Sequence, residues 1–151
     1  MFFKRIKESP QTGRLYIIEL TLNTGQVIHK IGMTHTPRSV DRMMEILRSW
    51  FIKYRYVPTA RLKLDFETGV PALLEKHIHK LLKEFKWVPD KKVSGRQEMF
   101  ANIDDKQVID YIKNIDYSIL LKGKRKISSK DYAYICSKAD NNFDINEDVH
   151  F

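Results

Sequence analysis

Tyr16, Lys30, Arg42, Glu75 and His79 are of the residue types that handle a phosphorylated polyanion. An ammonium held close to a phenol favours the ionised phenol, so Tyr16 beside Lys30 would make an acid–base pair. The planar guanidinium of Arg42 suits two oxygens of one phosphate. Glu75 and His79 are four residues apart, one turn of a helix, and share a face. His77, two residues from His79, points elsewhere, and Cys136 is the only cysteine. Zinc held by Glu75, His77 and His79 is therefore not expected. His29, next to Lys30, should face the opposite side of its strand in a structural or exposed setting.

Such residues are useful only if the chain brings them together. Residues 15–22 (LYIIELTL) and 26–32 (QVIHKIG) are rich in β-formers and flank Asn23-Thr24-Gly25, which predicts a hairpin. With Gly25 left-handed in a three-residue loop, Leu22 faces Gln26, Ile18 faces Lys30 and Tyr16 faces Gly32. Tyr16 and Lys30 then lie diagonally on one face, near enough to share a ligand. Thr36-Pro37 predicts the start of a helix with Val40, Met43, Met44 and Leu47 on its apolar face. Arg42 sits at the edge of that stripe. Arg38, one turn earlier, is the second candidate, with pairing to Asp41 or Glu45 as its plainer fate. Residues 61–66 (RLKLDF) alternate as a third strand. Pro71 opens a second helix whose buried stripe is Leu74, Ile78, Leu81, Leu82 and Phe85. Glu98 to Ala101 suggests a short strand or its lead-in, and Asp104 caps a third helix carrying Val108, Ile109, Ile112 and Ile115. Residues 117–121 are expected as a last strand. Together these give an α/β (α+β) fold, a small and mostly antiparallel sheet flanked by helices.

Composition narrows the class of partner. Hydrophobic residues make up 42% of the 151, enough for a core, so disorder throughout is excluded. Lysine and arginine number 27 against 19 acidic residues, a formal charge of +8 that favours nucleic acid. Trp50, Tyr54 and Tyr56 interleave with Arg48, Lys53, Arg55 and Arg61, a mixture able to grip phosphates and stack on bases but at least as often a helix end with core aromatics. Lys122, Lys124, Arg125 and Lys126 form a basic cluster suited to backbone contact, and an acidic tail follows from residue 139. A single cysteine and no apolar leader or membrane-length run lead to the expectation of a soluble, cytoplasmic protein without membrane contact.

Arg14-Leu15-Tyr16 followed by Lys30-Ile31-Gly32 resembles the paired motifs of the GIY-YIG nuclease superfamily. Lys30-Ile31-Gly32-Met33-Thr34 with downstream Arg42 is similar to its phage and bacterial branch written KIG(M/I)T…R. Leu74-Glu75 with His77 and His79 resembles that branch's LE…H helix, and Arg96-Gln97-Glu98-Met99-Phe100 its (R)EWF segment. Arg14 stands where the first motif has glycine, and Lys30 where the second has its first tyrosine. The resemblance spans about residues 13–103, leaving a basic arm over 1–12 and an extension over 104–151. It implies a DNA endonuclease, phage-encoded and acting on foreign or competing DNA in the host cytoplasm, that uses one Mg2+, with Mn2+ as a substitute. Glu75 would hold the metal, with Glu98 as an auxiliary ligand. Tyr16 would orient or deprotonate the water, and Lys30 and Arg42 would meet the phosphate. His79 would contact phosphate, shuttle a proton or hydrogen-bond Glu75. DNA contacts are expected from Arg38, Arg48, Lys53, Arg55 and the basic cluster. The alternative is a DNA-binding module of the same fold that cleaves weakly or not at all. Monomer and homodimer remain open.

Overall fold

A computed structural model describes residues 13–35, 38–121 and 149–150. Strands β1 (Gly13–Thr21) and β2 (Val27–Thr34) form the expected hairpin. Its register pairs Tyr16 with Gly32 and Ile18 with Lys30, as the turn chemistry requires. The Leu22 amide donates to the Gln26 carbonyl at 2.8 Å, and Gly25 adopts a φ of 91° that a side chain would resist.

Helix α1 (Ser39–Tyr54) crosses one face of the sheet and buries Ser39, Met43, Ile46, Leu47 and Trp50. Two expectations are corrected here. Met44 is half exposed and Ile46 takes its place, because the helix is rotated to put Trp50 inward. Its first residue is Ser39, with Arg38 extended at the cap position, while Thr36 and Pro37 lie outside the described residues.

β3 (Thr59–Thr68) pairs with β1 through a register shift between Ile17 and Ile18. Ile17 lies against Leu64 and Ile18 against Leu62, so Lys63 is the extra residue of a bulge. The bulge changes which face the alternation serves. Ala60 and Leu62 join the α1 side, whereas Leu64 and Phe66 join the opposite core.

That opposite core is covered by α2 (Pro71–Leu81), α3 (Asp105–Lys113) and α4 (Tyr117–Leu121). Pro71 occupies the first turn of α2, where a missing N–H costs nothing. Leu74 and Ile78 are buried, but Leu81 and Phe85 are exposed and Leu82 only partly covered. The predicted stripe overruns because α2 stops at Leu81 and a 3-10 turn over Lys83–Phe85 redirects the chain. The Asp104 carboxylate caps α3 by accepting from the Lys106 amide at 3.0 Å. Residues 117–121 are helical, not a strand. Asp116 accepts from the Ser118 amide and hydroxyl, and Tyr117 and Leu120 are buried at helical spacing.

The short β4 (Met99–Ala101) pairs with only Ile28, His29 and Lys30 of β2. With β5 (Val149–His150) against β3, the sheet order is β4-β2-β1-β3-β5. The result is a small antiparallel sheet with flanking helices, an α+β fold. Beyond Lys30 the outer edge of β2 has no strand beside it among the described residues.

Candidate active site

The unpaired stretch of the β2 edge is where the candidate residues meet. Lys30, on the α1 face, is fully buried and donates through Nζ to the Tyr16 hydroxyl at 3.0 Å and to the Glu98 carboxylate. Gly32 makes this pair possible. A Cβ there would lie 2.4 Å from Lys30 Nζ and 2.5 Å from the Tyr16 hydroxyl oxygen. The second motif's glycine is therefore a packing requirement of the lysine and tyrosine beside it.

Glu75 reaches the same edge from α2. Burial pushes its carboxyl up to about 7, aided by repulsion from Glu98 and a hydrogen bond shared with it. The Lys30 charge and the Met33 amide oppose that rise. Burial alone would also raise Glu98, but the charge and hydrogen bond of Lys30, together with His79 and Glu75, hold it below its ordinary value. The two carboxyls therefore sit side by side, one disposed to keep a proton and one ionised.

His79 donates from Nε2 to the Ile31 carbonyl at 2.7 Å and packs its ring against Phe100, with centroids 5.2 Å apart. Burial lowers its pKa despite that hydrogen bond. The hydrogen bond ties α2 to the β2 edge, a structural contact distinct from the phosphate, proton-shuttle and Glu75-bonding roles expected from the sequence.

Arg42 approaches from α1. Its Nη1 donates to Glu45 at 2.7 Å and to the Ser94 hydroxyl at 3.0 Å. Burial would lower its pKa, but Glu45 and then Tyr16 outweigh it and raise the pKa further. The guanidinium thus lies close enough to the Tyr16 hydroxyl to interact with it. Tyr16, Lys30, Arg42, Glu75, His79 and Glu98 form one connected group drawn from both faces of the sheet.

Residues 13–116 match the family model of the T5orf172 domain. The chain belongs to that family. T5orf172 domains are nuclease-type domains related to the homing endonucleases and GIY-YIG-like enzymes. No curated protein and no solved structure matches the chain. The match extends through α3, past the boundary near residue 103 expected from the motifs.

Within this T5orf172 domain several surface expectations separate from the site. Arg38 is exposed and pairs with Asp41 at 3.0 Å, its plainer fate. Arg48 and Lys53 are exposed along α1, where they line an open groove of about 390 Å³ with Met44 and Ile52. Arg55 ends α1 in the left-handed conformation, at φ 65°. Trp50 is 1% exposed and stacks on Tyr54 with centroids 4.9 Å apart, so it is a core residue and not a base-stacking one. Lys122, Lys124, Arg125, Lys126 and the acidic tail lie outside the described residues.

The opposite face carries a cluster that sequence reasoning missed. His29 is buried and its Nε2 lies 3.0 Å from Asp105 and 3.9 Å from Glu19. These three could approach one cation. However, Lys63 lies 3.6 Å from Asp105 and Arg61 3.9 Å from Glu19, so two cations already balance the carboxylates. The Nδ1 of His29 also lacks the partner that orients a metal-bound imidazole. The cluster reads as a charge network tying the hairpin and β3 to the start of α3. The long-range pairing of Asp105 with His29 left no local signal in the sequence.

The raised Glu75 pKa makes a stability prediction. A carboxyl near 4.5 unfolded and about 7 folded binds its proton more tightly when folded. Its contribution to stability therefore falls as pH rises between those values and stays unfavourable above the higher one. In metal-free buffer Glu75→Gln should raise Tm at pH 8 on the order of 5 °C, with little change at pH 4. An equal offset at both pH values in calorimetry would show that ionisation of Glu75 is not strained.

Proposed function

We propose that this protein is a metal-dependent endonuclease that hydrolyses DNA phosphodiester bonds at the Tyr16–Lys30–Arg42–Glu75 site. The observation that carries the reading is the convergence of a phenol, two cations and a carboxyl pair at one sheet edge. The carboxyl pair also fits a divalent ion. Glu75, which burial and the neighbouring ionised Glu98 dispose to keep a proton near pH 7, offers beside Glu98 hard oxygens whose proton a cation would replace. Glu75, with Glu98 beside it, would hold Mg2+ or Mn2+; when bound, the ion supplies Lewis-acid charge at the scissile phosphate.

The chain's own groups do the rest. The Tyr16 hydroxyl already receives a hydrogen bond from Lys30, so its own proton is directed away from that ammonium. A hydroxyl so oriented can hold the attacking water in line with the leaving oxygen. Arg42 presents a charged fork next to Tyr16, placed to take two phosphate oxygens as negative charge builds. Lys30 adds a second positive charge that its buried setting leaves poorly screened. His79 keeps the β2 edge and α2 in register, fixing Glu75 relative to Lys30.

The second reading, a DNA-binding module without turnover, is favoured only by the burial of Tyr16 and Lys30. The two readings diverge for Arg42→Ala. An endonuclease loses single-turnover rate at saturating DNA by roughly a hundredfold, whereas a module loses affinity alone. Because phosphate contacts release counterions, DNA affinity should fall steeply, by about tenfold or more between low and physiological salt. Affinity indifferent to salt in an equilibrium titration would contradict phosphate-dominated binding under either reading.

A further inference from the structure

The two groups that must touch water and phosphate are sealed from solvent. Tyr16 and Lys30 are both 0% exposed. A hydroxyl that orients a water cannot do so where no water reaches it. The loop of residues 91–96, between the polar stretch after α2 and β4, lies over Lys30 and against Arg42.

Its contacts are specific. Gly95 rests on Lys30, so closely that a Cβ there would fall 2.1 Å from Lys30 Cε. Next to it, Ser94 accepts from Arg42 at 3.0 Å, and the Ser94 amide donates to the Ser49 hydroxyl of α1 at 2.8 Å. Val93 is buried against the α1 core. One short loop therefore covers Lys30 and engages Arg42, the two cations that a phosphate would need.

The loop is internally cohesive. Internal bonds join Val93 to Lys91, Arg96 to Val93 and Glu98 to Gly95, and Arg96 Nε donates to the Pro89 carbonyl. Its base is held by Tyr54, which donates to Asp90 and accepts from the Lys91 amide at 3.0 Å. Beyond Lys91, which Tyr54 of α1 holds, its attachments to α1 are Val93 and two hydrogen bonds made by Ser94. One of those bonds occupies the Arg42 guanidinium, the group that would receive a phosphate oxygen. An incoming phosphodiester is a stronger acceptor than a serine hydroxyl and competes for the same donor.

We propose that residues 91–96 form a gate over the phosphate subsite, closed in the free protein and lifted when a DNA strand enters. This rests on the nuclease reading above for what the subsite binds. Opening costs the Ser94 bonds and the burial of Val93; it uncovers Lys30 with the Tyr16 hydroxyl bonded to it and releases the already partly exposed Arg42 from Ser94.

The test joins the gate to α1. Ser49→Cys and Ser94→Cys are introduced in a Cys136→Ser background of the full chain and linked by a short, reducible thiol crosslinker. The linked protein should cleave DNA at least fivefold more slowly in single turnover than the same protein after reduction. A smaller difference overturns the gate while leaving the nuclease reading intact. A companion measurement does not depend on cleavage. In metal-free buffer, amide hydrogen exchange over residues 93–96 of the wild-type chain should quicken when a DNA duplex is added. Exchange that is unchanged or slower overturns the gate. If the wild-type protein does not cleave at all, the nuclease reading falls and the exchange result alone decides the gate.

Discussion

Tyr16→Phe should lower single-turnover DNA cleavage by a hundredfold or more, the usual cost of losing a positioned acid–base group, while leaving DNA affinity almost unchanged. The ring is fully buried among Ile18, Leu20, Met43 and other α1-side residues, and phenylalanine keeps that packing. Only the hydroxyl 3.0 Å from Lys30 is removed, and Lys30 retains its Glu98 partner, so no buried charge is stranded. Glu75→Gln should act as strongly by a different route. It keeps the shape of the side chain, abolishes the anionic donor beside Glu98 and removes metal-dependent turnover. Rates for both variants within a few fold of an active wild type, measured at saturating DNA, would show that the chemistry lies elsewhere.

Trp50→Ala should destabilise the fold by about 3–5 kcal/mol, as large core truncations do. Its sequence neighbourhood of arginines and lysines left a base-stacking role and a core role both open, and the indole, 1% exposed, packs in the α1-side core. The same helix carries Arg42 outward, so loss of Trp50 loosens the platform on which the guanidinium is held. Urea unfolding should show the loss directly. A variant with wild-type stability that merely binds DNA more weakly would restore the stacking role and contradict the placement of Trp50.

What the sequence disclosed follows how local each determinant is. The hairpin register was readable because Asn23-Thr24-Gly25 fixes it and the strands extend without interruption from the turn. That register alone put Tyr16 beside Lys30. The buried stripe of α2 was overread because nothing in its periodicity marks a stop at Leu81; the 3-10 turn that follows is a tertiary outcome. Residues 117–121 looked like a strand because apolar β-formers dominate them. The Asp116 cap and the open face beside α2 made them a helix instead. The alternation in β3 was visible, yet the bulge at Lys63 that splits it between two cores was not, since it arises only in pairing with β1.

The site shows the same division. Tyr16, Lys30, Arg42, Glu75 and His79 were each recognisable by motif and by residue chemistry. The partnership of Glu75 with Glu98 was foreshadowed only as an auxiliary carboxylate. Its closeness depends on α2 and the 3-10 turn Arg96–Glu98 meeting at one sheet edge, 23 residues apart in the chain. The glycine at 95 looked like a loop former, and its seat on Lys30 emerges only from the folded chain.

The most direct test of the whole account is incubation of supercoiled DNA with the purified wild-type protein, with Mg2+ and with a chelator. Conversion to open-circular or linear DNA is the readout. Cleavage that requires Mg2+ is the predicted result. DNA that is bound, with salt-dependent affinity, yet remains uncut with Mg2+ or Mn2+ would contradict it and leave a binding module in its place.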